Sequence, residues 1–284
     1  MTTETTDGNS ARASTAATRI LALVPDPPSA LASLKIAWAA AAVDPNARVT
    51  ALHVRVEPSS LYVSDEEIAL QQLRESREGT PRERRDRTFE IYSRWLASIG
   101  GGDGRVKWHE EVGAEESVVD EEGAAAHLVT IARPVTIDGR EALHAALFRH
   151  RHLVLHTPLP AEADPVIGRV MAIAWKPGEA ARRAIFRAMR WLGRADEVHL
   201  ITVGRDDVDG ALSILDDFGI EPHVHRISRG AGSVGDTIVA QAHALGADSL
   251  VLGAYRRGQF LSTILGGVTR DVLRHGDLPA FMVH

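Results

Sequence analysis

The strongest constraint on the fold is an alternation of short apolar runs and helical spacings that passes along the chain twice. The first pass reads RILALV (19–24) as a strand, 29–43 as a helix with Ser29 at its N-cap, and RVTALHVRV (48–56) as a second strand. A long charged helical region over 65–99, broken near Gly79-Thr80-Pro81, leads to a third strand, VKWHEEV (106–112). Helix 115–126, strand LVTIA (128–132), helix 139–150 and strand HLVLHT (152–157) complete it. The second pass runs strand 169–175, helix 178–193, strand 197–203, helix 206–219, strand 222–228, helix 233–246, strand 249–255, helix 265–275 and strand 279–284. Apolar runs of this length between turn residues read as strands buried on both faces, and the amphipathic stretches supply the crossovers that parallel neighbours need. Each pass therefore predicts five strands and four helices: an α/β unit, its five-stranded parallel sheet covered by helices on both faces. The polar alternation of VKWHEEV suits a sheet edge. The expected organisation is a disordered tail over 1–17, one domain over 18–158, a linker near 158–166 and a second domain over 168–284.

Composition narrows the function. Hydrophobic residues make up 44% of the 284 and charged residues 25%, ordinary proportions for a globular chain. A net charge of −6 argues against nucleic-acid or membrane-surface binding, which favours a basic face. With no cysteine there is no disulfide, no thiol nucleophile and no cysteine-based zinc site. The small polar tail lacks the apolar core of a signal peptide, and no run approaches the roughly 18 apolar residues of a membrane span. A cytoplasmic protein is expected.

Several motifs invite chemistry. GAGSVG (230–235) satisfies G-x-G-x-x-G, but it follows a third, polar strand, and the next strand ends without the carboxylate a ribose needs. The favoured reading is a flexible loop whose following helix is capped by Ser233. His223 and His225, two apart on a strand, share a face and would permit a metal pair. No third ligand is placed beside them by spacing, so two exposed polar positions on an edge strand is the preferred reading. His150, His152 and His156, with Arg149 and Arg151, read as a basic helix end beside a strand. No G-x-S-x-G occurs, and Asp206-Asp207, Asp216-Asp217 and Glu121-Glu122 point about 100° apart on helices, as solvated faces do. No catalytic residue and no metal are expected.

The most informative stretch is VLGAYRRGQFLSTILGGVTRDVLRH (251–275). Gly253 ends a strand, and Gly266-Gly267 start a helix whose unpaired N–H groups and dipole favour an anion. Arg256 and Arg257 would either add charge to that site or reach solvent or a partner carboxylate.

These residues resemble the universal stress protein family, whose nucleotide-binding members carry G-x2-G-x9-G-[ST] after the fourth strand. Here the run is Gly253-x2-Arg256-x9-Gly266-Gly267, followed by VTRDVLRHGDLPAFMV. SVGDTIVAQAHALGADSLVLGA and AIAWKPGEAARRAI are similar to the family's third helix with fourth strand and first strand with first helix. The resemblance covers 168–284, and the first half matches in element order. It implies two tandem adenine-nucleotide-alpha-hydrolase-like, Rossmann-like domains. It also implies that the halves pair through their last strands as an intramolecular pseudo-dimer, with a further homodimer open.

For the site, the resemblance implies Gly253, Arg256, Arg257, Gly266, Gly267, Val268, Thr269, Lys176 and Val203. Arg256 fills the space a glycine leaves for phosphates, Gly267 replaces the hydroxyl residue, and Lys176 stands where an acid approaches the ribose. Val203 keeps the apolar character expected beside an adenine, and Thr269 offers a hydroxyl one turn into the helix. ATP or AMP binding is therefore weakened, and a compact anion is the other ligand in view. In the first half Asp26 ends the first strand, where the family carries its acid, yet RPVTID runs straight into a helix, so no nucleotide loop is expected there. The function so implied is stress adaptation by ligand or protein binding, without catalysis and with an unidentified protein partner. The alternatives are slow nucleotide hydrolysis and a purely structural interaction module.

Overall fold

The computed structural model describes residues 17–57, 75–149, 151–160, 164–254 and 267–284. Its strands are β1 (Arg19–Leu23), β2 (Arg48–Arg55), β3 (Val106–Val112), β4 (Leu128–Ala132), β5 (Val154–Thr157), β6 (Val170–Ala174), β7 (Glu197–Val203), β8 (His223–Ile227), β9 (Ser249–Gly253) and β10 (Ala280–Val283). The helices between them are α1 (Pro27–Ala41), α2 (Pro81–Ser98), α3 (Glu115–Gly123), α4 (Ile137–His144), α5 (Glu179–Leu192), α6 (Asp209–Asp216), α7 (Val234–Ala244) and α8 (Gly267–His275).

All ten strands form one sheet in the order β3-β2-β1-β4-β5-β10-β9-β6-β7-β8. Every neighbouring pair is parallel except β5 and β10, which run antiparallel with Val154 opposite Met282 and His156 opposite Ala280. Each half therefore has strand order 3-2-1-4-5, and the last strands of the two halves join them. VKWHEEV is an outer edge, and β8 is the other.

Three local differences from the sequence reading have plain causes. Helix α1 starts two residues before Ser29, because Asp26 is the N-cap and Pro27 and Pro28 occupy the first turn, where a missing N–H costs nothing. Thr80 and Glu83 form a capping box with Pro81 at the first position of α2, so the break near Gly79-Thr80-Pro81 is a helix start. The helix expected over 139–150 begins at Ile137, capped by Thr136, and after His144 it widens into a π turn over Ala145–Arg149.

The core lies in two layers, one on each face of the sheet, and both layers run through both halves. One joins Ile20, Leu34 and Leu155 to Trp191, Leu200 and Phe281; the other joins Leu52, Ile131 and Val154 to Ile201, Leu252 and Met282. Side chains also cross the seam. Trp191 on α5 donates from Nε1 to the Ala40 carbonyl of α1 at 3.0 Å, and its ring lies 5.2 Å from that of Phe281. Arg133, after β4, donates to the Gly276 carbonyl beyond α8 at 2.6 Å.

One residue in the seam is out of keeping. His156, on β5, is 1% exposed, and neither ring nitrogen has a hydrogen-bond partner. Burial, with the Arg133 charge adding to it, pushes its pKa down to about 3 from an ordinary 6.5. Between those values the unfolded chain binds more protons than the folded one, so this stability is complete above pH 6.5 and is lost as pH falls toward 3. The loss between pH 7 and pH 5 is about 2 kcal/mol. His156→Leu removes two unsatisfied nitrogens and is expected to raise stability at pH 7 by about 1–3 kcal/mol. Urea unfolding at both pH values should also show the acid dependence of the variant reduced.

Candidate functional site

In a sheet of order 3-2-1-4-5 the crevice opens where strand order reverses, beyond the carboxyl ends of the first and fourth strands. In the second half these are β6 and β9. Ala174 is level with Ile201 of β7 and Leu252 of β9, so two residues further on Lys176, Val203 and Ala254 stand at one height. Lys176 is exposed, Val203 is half-buried against the core, and Ala254 is buried. The N-terminus of α8, with Gly267 exposed, Val268 half-buried and Thr269 buried, lies at the same end. The structure thus gathers Lys176, Val203, Gly253, Val268 and Thr269. Arg256, Arg257 and Gly266 lie outside the described residues.

Two of the gathered residues have structural duties. A Cβ on Gly253 would stand 2.7 Å from the Ala181 nitrogen and 2.8 Å from the Ala180 carbonyl carbon, so only glycine lets α5 sit this close to β9. Thr269 is 1% exposed and its hydroxyl points to the Gly253 carbonyl at 3.4 Å, a long bond that ties α8 to the end of β9. That hydroxyl is directed at the protein's own backbone. Trp175, between β6 and Lys176, is also anchored, donating from Nε1 to the Asp207 carbonyl at 2.7 Å.

The corresponding point of the first half, between β1 and β4, is filled by the chain itself. Asp26 is 1% exposed. Its Oδ1 accepts from the Ser29 amide at 2.9 Å and the Ser29 hydroxyl at 2.6 Å, and its Oδ2 accepts from the Thr136 hydroxyl at 2.5 Å. Both carboxylate oxygens, read from sequence as ready to face a ribose, are engaged in capping α1 and holding α4.

GAGSVG is a helix start. Ser233 and Asp236 form a capping box on α7, and the Gly230 amide donates to the Thr237 hydroxyl at 3.2 Å. Gly235 is needed because a Cβ there would meet the Asp271 Cβ of α8 at 2.7 Å. No phosphate is required to explain these glycines.

The histidine pair is less isolated than its spacing suggests. His199 of β7 is in register with His223, and its Nδ1 lies 3.1 Å from His225 Nε2. Glu197 Oε2 lies 3.3 Å from His199 Nε2. Burial, then the neighbouring imidazoles, holds His199 below its ordinary pKa, and burial followed by His223 does the same to His225. A third histidine and a carboxylate therefore stand beside His223 and His225, which sequence spacing could not place because it does not state the β7–β8 register. At the opposite edge His109 Nε2 lies 3.2 Å from Glu111 and 3.4 Å from Glu122.

A doubly wound α/β unit repeated twice, with a crevice at a strand-order switch, defines the class: a tandem Rossmann-like protein. Residues 216–284 match the model described as the universal stress protein family. A universal stress protein from Archaeoglobus fulgidus is 18% identical, covers 93% of this chain and 97% of its own, and superposes with a TM-score of 0.62. A candidate universal stress protein of Pseudomonas aeruginosa is 17% identical, covers 94% and 93%, and gives a TM-score of 0.54. These likenesses extend the fold over nearly the whole chain. No curated protein matches it. Among the described residues no helix is long and apolar enough to cross a membrane.

Gly253→Ala is expected to destabilise the chain by about 1–3 kcal/mol with no ligand present, because the helix backbone must move. Asp26→Ala should cost about 2 kcal/mol or more through the lost cap and unpaired hydroxyls. Denaturant titration of the ligand-free protein checks both.

Proposed function

We propose that this protein is a non-enzymatic, cytoplasmic stress-adaptation protein that acts by binding a ligand or a protein partner. Its ligand site is the crevice at the carboxyl ends of β6, β7 and β9. The observation that carries this reading is the contrast between the halves. In the second, Lys176 and Val203 follow the strand ends at one height where strand order reverses, whereas in the first Asp26, Ser29 and Thr136 occupy that point.

The chemistry favours a compact anion over ATP or AMP. An exposed Lys176 cation offers a ribose no hydroxyl acceptor but suits a phosphate, and the N-terminus of α8 adds its dipole. Arg256, read from sequence, crowds the phosphate chain of a nucleotide. The two halves act as a pseudo-dimer in which the first supports the second, and the same reading leaves further pairing of whole chains open.

Isothermal titration with ATP, AMP and inorganic phosphate tests this. The expected result is phosphate binding that Lys176→Asp abolishes, with no micromolar ATP or AMP affinity. Arg256→Gly should increase nucleotide affinity. Micromolar ATP binding by the unaltered chain overturns the reading, and release of ADP from magnesium ATP would support slow hydrolysis instead.

A further inference from the structure

The cluster at the β7–β8 edge is not used by the crevice, and it has the chemistry of a metal site. Side chains alternate along a strand, so Glu197 and His199 of β7 and His223 and His225 of β8 share one face of the sheet. On that face Ile201 and Val203 join the core layer that includes Ile238 and Ala242 of α7. His199 is 5% exposed, His225 is half-buried and His223 is exposed at the outer strand. The imidazole of His199 lies 5.3 Å from that of His223 and 5.2 Å from that of His225, centre to centre.

We propose that His199, His223 and His225 bind a transition-metal dication of the zinc type, with Glu197 orienting His199. The distance between His199 Nδ1 and His225 Nε2, 3.1 Å, is what two nitrogens on one ion adopt. With bonds of about 2.0–2.1 Å and a tetrahedral angle, they sit about 3.3 Å apart. His223 stands directly across from His199, so rotation about its side-chain bonds supplies the third nitrogen. His223, exposed on the outer strand, leaves the fourth position to water.

The remaining nitrogen of His199 supplies a separate observation. Nε2 is buried, and the group it faces is Glu197 Oε2 at 3.3 Å. A ligating histidine commonly directs its second nitrogen at a carboxylate, which fixes the tautomer and strengthens the ligating nitrogen. Binding at Nδ1 places the proton on Nε2 and draws Glu197 into line with it. The cluster of His109, Glu111 and Glu122 brings three ligand atoms within 4.8 Å of one another as it stands, whereas the three histidines reach that arrangement only when His223 turns inward. There a single imidazole is already matched by two carboxylates, so its arrangement is accounted for by ion pairing.

The test is calorimetric titration of the full chain, without an affinity tag, with zinc chloride at pH 7.5, followed by cobalt(II) absorption. All measurements are made in a His109→Asn background, so that the opposite edge does not contribute. The expected result is one ion per chain with a low-micromolar dissociation constant, and cobalt bands of four-coordinate intensity. His223→Asn and His225→Asn, on the outer strand, should each weaken binding by at least about tenfold, and Glu197→Gln by about tenfold. Urea unfolding of each variant confirms that it remains folded. Absence of micromolar binding overturns the proposal, as does binding that the folded His223→Asn, His225→Asn double variant retains.

Discussion

The antiparallel pairing of β5 with β10 is the contact on which the rest of the molecule depends. Each half alone would leave its last strand as an open edge, with a row of unpaired backbone groups. Joining the two edges turns two five-stranded sheets into one of ten and places α1 against α5. The pairing also makes both core layers continuous, so that Trp191 of one half caps the Ala40 carbonyl of the other. The two edges left over carry polar side chains, Lys107, His109, Glu110 and Glu111 on β3 and His223, His225 and Arg226 on β8, as exposed edges need.

That arrangement duplicates the fold without duplicating the site. Both halves place a crevice between their first and fourth strands. Asp26 occupies one of them, held by Ser29 and Thr136, and turns an acid that could face a ligand into a helix cap. The other keeps a cation at the strand end and an exposed helix start. Glycines that look like ligand features there are partly packing features: Gly253 admits α5, and Gly235 admits Asp271.

Much of this is legible in the sequence because the signals are local. LVTIA and EVHLITV coincide with β4 and β7 residue for residue, since short β-branched and apolar runs bounded by turn residues leave little choice of boundary. The start of α1 is harder, because two prolines look like a stop but serve as a first turn. The candidate site is legible only in part. Thr269 is visible as a hydroxyl, but its bond to Gly253 spans 16 residues, and the Thr136–Asp26 bond spans 110. The approach of His199 to His225 likewise depends on strand register, which spacing within one strand does not carry.

The central claim is that the seam makes the two halves a single folded unit. Native-state hydrogen exchange measures this most directly, by comparing amides of β5 and β10 with those of β1 and β6. The account predicts that all four strands exchange at one free energy, through global unfolding alone. Seam amides that exchange at a clearly lower free energy than both inner strands would contradict it, because the halves would then separate before either unfolds.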